Sequence, residues 1–154
     1  MGNTIVALSD SHTSTLSKLP AALRQALKDA DLIIHAGDHT ESSLLDELRQ
    51  LGDVLAVAGN MDSTAIKVRL PHRQLVTFGG RTIGLTHGSG APWGIADRVR
   101  KTFPEDPDLI VFGHSHVSFA GVVAGVLMVN PGPARSSYAV IRLGKEIEAE
   151  IVPV

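Results

Sequence analysis

Cysteine is absent from the 154 residues, which excludes disulfides and thiolate-ligated zinc. An excess of charge is missing too. Lys and Arg number 14 against 16 Asp and Glu, a formal net charge of −2 with a pI of about 6.4. No bulk field therefore favours long nucleic acid or an anionic membrane surface. A short nucleotide stays within reach, because a local metal site attracts phosphate whatever the global charge. No basic leader or long hydrophobic run precedes the first apolar segment, Thr4 to Leu8. Neither a signal peptide nor a membrane span is expected, and a soluble, cytoplasmic protein is. Repeats, linkers and low-complexity stretches are lacking as well. One domain over residues 1–154 is the expectation, with 44% apolar content to build its core.

Ile5 to Leu8, Leu32 to Ile34, Val54 to Ala58, Leu75 to Phe78, Ile83 to Thr86 and Leu109 to Phe112 are short, branched and bounded by polar or glycine residues. They predict buried strands. Leu16, Leu19, Leu23 and Leu27 recur at helical spacing, as do Leu44, Leu45, Leu48 and Leu51 ahead of Gly52. Ile95, Val99 and Phe103 predict a third helix, entered after Pro92 and ended before Pro104. Beyond Val117 the pattern turns to hairpins around Gly121, Gly125 and Gly144, and Ile147 to Ile151 alternates like a half-exposed strand. A βαβ front half and a hairpin-rich back half allow two packed sheets, or one mixed sheet with helices outside.

The residues able to bind metal sit where these strands end. Asp10 and His12 follow the first, Asp38 and His39 the second, Asn60 and Asp62 the third. His87 follows Ile83 to Thr86, and His114 and His116 follow Leu109 to Phe112. Loops at the carboxyl ends of strands in α/β folds converge on one crevice, so groups far apart in sequence meet there. Asp10-Ser11-His12 and His114-Ser115-His116 each carry a two-residue spacing, which in extended backbone puts both side chains on one side. Each motif alone has an ordinary structural explanation; their joint placement points to a metal site.

The series Asp10-Ser11-His12, Gly37-Asp38, Gly59-Asn60, His87-Gly88 and Gly113-His114-Ser115-His116 resembles the motif set of the calcineurin-like metallophosphoesterases. Asn130-Pro131-Gly132 resembles the closing motif of a compact branch that holds small phosphodiesterases and the retromer subunit Vps29. Thr86-His87-Gly88 and Pro92-Trp93-Gly94 are similar to that branch too. The resemblance implies an α/β fold, a four-layer α/β/β/α sandwich of two mixed sheets flanked by helices. It implies that Asp10, His12, Asp38 and His116 ligate one divalent ion, and that Asp38, Asn60, His87 and His114 ligate a second, with Asp38 bridging. Manganese, nickel, zinc or iron suit imidazole and carboxylate. Two such ions bring +4 against −2 from the carboxylates, and the net charge attracts phosphate. The implied activity is hydrolysis of a small phosphate diester by metal-activated hydroxide at a dinuclear centre, with Asp38, Asn60 and His87 at its heart. The partners implied are that substrate and, as an option, a second copy of the chain; no long nucleic acid and no membrane.

One departure has chemical weight. Many relatives carry histidine directly after the motif asparagine, to stabilise the transition state and protonate the leaving oxygen; here the residue is Met61, which has no proton to give. Catalysis then favours acidic leaving groups. His39 is a substitute donor candidate, or a loop histidine behind the ligands. Asp62 either holds a supporting hydrogen bond or solvates its loop. His35 and His72 are assigned structural roles, Arg135 a surface one, and Thr13 replaces a frequent glycine. Two other functions compete: a Vps29-like protein-binding scaffold, and a phosphomonoesterase with the same ligands.

Overall fold

The computed structural model describes residues 3–154. Its first half lays down three parallel strands, β1 (Thr4–Leu8), β2 (Leu32–His35) and β3 (Val54–Ala56). Parallel neighbours need a crossover. The crossovers are α1 (Ala21–Asp29) and α2 (Ser42–Leu51), and α3 (Thr64–Arg69) follows β3. Then come the hairpin β4 (Arg73–Phe78) and β5 (Arg81–Thr86), α4 (Ile95–Lys101) and β6 (Leu109–Val111). Two more hairpins finish the chain: β7 (Phe119–Val123) with β8 (Val126–Asn130), and β9 (Ser137–Leu143) with β10 (Ile147–Pro153).

Two sheets result. β9 returns to pair antiparallel with β1, Val6 opposite Val140, and completes the order β10-β9-β1-β2-β3. The second sheet has the order β4-β5-β6-β8-β7, with β5, β6 and β8 parallel and an antiparallel strand at each edge. Both are mixed sheets. Of the two arrangements open from periodicity, the packed pair is the one adopted.

Side-chain alternation explains why they stack. On β1, Ile5 and Ala7 point into a core shared with Ile83 and Leu85 of β5 and Val111 of β6. Val6 and Leu8 point the other way, onto Leu23 and Leu27 of α1 and Leu44 and Leu48 of α2. Burial on both faces is why this strand is a continuous apolar run without polar alternation. On the far side, Ile95 and Val99 of α4 cover Ile110 and Met128 of the second sheet. The layers are helix, sheet, sheet, helix. No helix of the described residues is long and apolar enough to cross a membrane.

Two elements differ from the expectation. The leucine repeat from Leu16 to Leu27 is not one helix: Pro20 separates a 3-10 turn (Leu16–Lys18) from α1. Proline lacks the N–H an uninterrupted helix would use and crowds the preceding turn. α3 was not anticipated, since it buries only Ile66 and shows no apolar stripe. Its start signal is in the sequence nonetheless, as the Ser63 hydroxyl accepts a hydrogen bond from the Ile66 N–H at 3.4 Å.

Phe103 closes the second sheet's outer face. Its ring lies so near Gly84 that a Cβ there would sit 2.7 Å from Phe103 Cε1. Truncating a fully buried ring leaves a cavity beside that backbone. Phe103→Ala is expected to cost about 3–5 kcal/mol in a denaturant titration; a loss under about 1 kcal/mol would show that α4 collapses into the space.

Candidate metal centre

The carboxyl ends of β1, β2, β5 and β6 open on one edge of the sandwich, and the loops there are stitched to each other through backbone. Asp10 N donates to Gly37 O at 3.0 Å, His12 N to Asp38 O at 3.2 Å and Gly113 N to His87 O at 3.0 Å. These ties hold side-chain-bearing residues in the left-handed region: Asp10 (φ 51°), His12 (47°), Asp38 (60°), His114 (74°) and His116 (62°). Such residues cost of order 1 kcal/mol each and persist only where their surroundings force them. Five of them at one sheet edge mark it as the strained part of the molecule.

The strain aims ligand atoms at one another. One from each of Asp10, His12, Asp38 and His116 lies within 4.8 Å of the rest. His116 Nε2 is 3.3 Å from Asp10 Oδ1, and His12 Nε2 is 4.0 Å from Asp38 Oδ2. Asp10 Oδ1 and His12 Nε2 are both buried without a hydrogen-bond partner. Each orphan of this kind costs about 1–3 kcal/mol. Asp10 Oδ2, by contrast, accepts from the Ser9 hydroxyl at 2.7 Å and the His114 N–H at 3.3 Å. One carboxylate oxygen is anchored and the other is left to face the cluster, the fit a divalent cation requires.

A second convergence adjoins the first. His87 Nδ1 lies 2.7 Å from the Ala36 carbonyl, which can only accept, so Nδ1 carries a proton. Nε2 is thereby turned on Asn60 Oδ1 at 3.1 Å and Asp38 Oδ2 at 3.3 Å. His114 does the same with its nitrogens exchanged: Nε2 meets the Gly90 carbonyl at 2.9 Å, and Nδ1 faces Asn60 Oδ1 at 3.3 Å. With neutral rings, lone pairs would confront lone pairs. A proton or a cation reconciles them, and for the two Asn60 contacts so does the opposite amide orientation, in which Nδ2 donates to both rings.

The titration behaviour carries the same sign. Burial lowers the pKa of His87, but the hydrogen bond and charge of Asp38, joined by Asp10 and the Ala36 carbonyl, outweigh it and raise the net value. Burial raises that of Asp38, yet His87 and the Met61 N–H, 2.7 Å from Oδ1, hold it below the ordinary range. For Asp10 burial prevails over His87, Ser9 and His116, and its pKa is raised.

Supporting side chains fix the frame. The carboxylate of Asp62 takes three backbone donors: Asp38 N at 3.0 Å, Gly59 N at 2.7 Å and Thr40 N at 2.7 Å. Of its two sequence-level readings, the structural pin is the one adopted. Asn130 grips the Gly113 carbonyl at 3.2 Å and the Ser115 hydroxyl at 3.1 Å. His35, assigned a structural role, proves to be a post under the first loop: Nδ1 accepts from Gly37 N at 3.1 Å, leaving the Nε2 proton for the Ser11 hydroxyl at 2.9 Å. Burial drives its pKa well down, which keeps the ring neutral. His39 is fully enclosed. Its ring stacks on His35 with centroids 3.6 Å apart, and its Nε2 lies 3.1 Å from the Val57 carbonyl. Arg135 is exposed, and Thr13 pairs with Thr40 between the first two loops.

Fold and cluster together define an α/β/β/α sandwich with a candidate metal centre at the carboxyl edge of its strands. The chain belongs to the calcineurin-like phosphoesterase superfamily, whose domain model matches residues 4–144. A probable metallophosphoesterase of Methanocaldococcus jannaschii is 32% identical over 165 residues, covering 100% of this chain and 84% of that protein. A Thermotoga maritima protein solved by NMR is 36% identical, with a TM-score of 0.78 and 99% of both chains covered. Vps29 of Entamoeba histolytica, solved in complex with zinc, shares the fold at 20% identity, with a TM-score of 0.75 and coverage of 97% and 98%.

Gly59 admits Asp38 to its place. A Cβ on Gly59 would lie 2.2 Å from Asp38 Oδ1 and 2.4 Å from Asp38 N. Gly59→Ala is expected to displace that carboxylate and weaken metal binding by about 10–100-fold in calorimetric titration, with the circular dichroism spectrum retained. Unchanged affinity would mean that Asp38 does not contribute to the site.

Proposed function

We propose that the chain is a metal-dependent phosphodiesterase that holds two divalent ions and hydrolyses a small phosphate diester. The observation that carries the reading is the pair of adjoining convergences. Asp10, His12, Asp38 and His116 form one, and Asn60, His87 and His114 form the other, with Asp38 Oδ2 reaching both. When bound, the ions supply Lewis acidity toward the phosphoryl oxygens and lower the pKa of a water.

The chain's own residues do the rest. Asp38 and Asp10 set the negative charge of the centre; the Ser9 hydroxyl and the Met61 N–H donate to those carboxylates, and the Asp62 carboxylate accepts from Asp38 N to hold the loop in place. The Ala36 and Gly90 carbonyls select the His87 and His114 tautomers that present a free nitrogen. Preorganisation of this kind avoids rearrangement at the moment of reaction. His39, as enclosed as it is, braces the loop behind Asp38 in this reading and does not reach a leaving group. Met61 is 60% exposed at the position where many relatives place histidine, so no side chain there offers a proton. Diesters with acidic leaving groups are the substrates such a site serves best.

The second reading is a protein-binding scaffold: Trp93, Val117 and Val122 are 78%, 62% and 70% exposed, and such residues support it where they form one contiguous apolar patch. Metal-stripped protein reconstituted with manganese, nickel, zinc or iron and assayed on a chromogenic diester beside its monoester separates the readings. Hydrolysis with the diester faster is expected; no turnover with any metal would favour the scaffold, and a faster monoester would overturn the diester assignment.

Met61→His tests the missing acid. It is expected to accelerate hydrolysis of alkyl diesters by up to about 10²-fold while changing nitrophenyl esters little. Equal effects on both classes would show that proton donation at this position is not the limitation.

A further inference from the structure

Asn60 and His87 have a second role in the fold: they form part of the wall of a pocket of about 390 Å3. Asp10, His12, Asp38 and His116 do not line it, so it extends from the Asn60–His87 half of the centre alone. Its volume falls in the range of small-ligand sites. The rest of the lining comes mainly from α3, α4 and the loops beside them, and includes Lys67, His72, Ser89, Arg98 and Thr102. No carboxylate and no Phe, Tyr or Trp lines it.

The charge of this lining is one-sided. Arg98 donates to the carbonyls of Ser89, Ala91 and Trp93, which hold the guanidinium in place without cancelling its charge. Lys67 Nζ donates, among the described residues, to the Asn60 carbonyl alone, at 3.3 Å. Among the described residues neither cation pairs with a carboxylate, a condition they share with most of the surface cations; what sets these two apart is that both line the same concavity. In a chain of net charge −2, two uncompensated cations share one concavity beside the candidate metal centre. The carbonyl that Lys67 touches belongs to Asn60, so its charge is set within reach of a molecule held at that residue.

We propose that this pocket receives the alcohol arm of the diester and selects an arm bearing a negative charge, a carboxylate or a second phosphate. The proposal rests on the diesterase reading and deepens it. Arg98 supplies a fixed positive field, and Lys67, on the exposed face of α3, supplies the adjustable contact. Without an aromatic side chain the pocket offers a base no stacking platform, so a sugar-like or acyl arm with a terminal anion fits better than a nucleoside.

The test uses p-nitrophenyl phosphodiesters whose second arm, of one length, ends in a carboxylate, a phosphate, a hydroxyl or a trimethylammonium group. Metal-reconstituted wild type, Lys67→Met and Lys67→Glu are compared. For wild type at low salt, kcat/KM is expected to be about tenfold higher for the anionic arms than for the cationic one, the gap closing at high salt. Lys67→Met should narrow that ratio about threefold and Lys67→Glu should abolish it. The carboxylate and phosphate arms separate the two sources of charge. Ligand-observed NMR on metal-stripped protein gives a readout independent of turnover, with binding of the anionic ester lost in Lys67→Glu. Hydrolysis of all the esters without charge preference, or a preference that survives Lys67→Glu, overturns the subsite and leaves the diesterase reading standing. If no ester is hydrolysed, the diesterase reading fails, and equal NMR binding of all the esters overturns the subsite as well.

Discussion

Two buried carboxylates, Asp10 and Asp38, face imidazole nitrogens of His12, His87 and His116. Like-signed lone pairs packed together in a poorly solvated place are unfavourable unless positive charge lies among them. Here the backbone makes them meet. The left-handed residues, the inter-loop N–H to carbonyl bonds and the triple grip of Asp62 all oppose the relaxation that would let these side chains turn to water. Positive charge among these groups offsets that cost, whether as a proton on His87, whose pKa Asp38 raises, or as a cation held by the cluster.

Rigidity comes from the layers behind the site. β1 and β2 are buried on both faces, by the second sheet and by α1 and α2, so the loops that leave them start from fixed points. Close approach of those loops is made possible by glycine at two places. Gly59 lies against Asp38, and Gly113 lies against Ser9 and Asp10, where a Cβ would come within 2.1 Å of the Ser9 hydroxyl. Larger residues there would push apart the carboxylates that the rest of the edge holds together.

The electrostatic layout divides the work. Globally the chain is slightly acidic, so attraction of an anionic substrate falls to the site itself and to the cations beside it. Lys67 and Arg98 stand next to the Asn60–His87 side, away from neutralising carboxylates. Of the exposed apolar residues, Val117 and Val122 lie outside the pocket that Lys67 and Arg98 line, whereas Trp93 stands on the loop whose carbonyls hold Arg98.

Much of this was legible from residue order. Strand-end placement of Asp10, His12, Asp38, Asn60, His87, His114 and His116 follows from short apolar runs that stop at polar residues, and the βαβ pattern follows from leucine spacing. Periodicity is a local property and survives the absence of coordinates. α3 escaped because a two-turn helix with one buried residue has no period to detect. The roles of His35, His39, Asp62 and Lys67 depended on contacts between segments up to 24 residues apart, such as Ser11 with His35 and Asp38 with Asp62. Residue type and spacing alone determined which side chains are able to hold metal. Which of them face one another, which oxygen of Asp10 is left free, and which tautomer His87 adopts were decided by the tertiary structure, because hydrogen bonds and burial act between chain segments that sequence spacing does not relate.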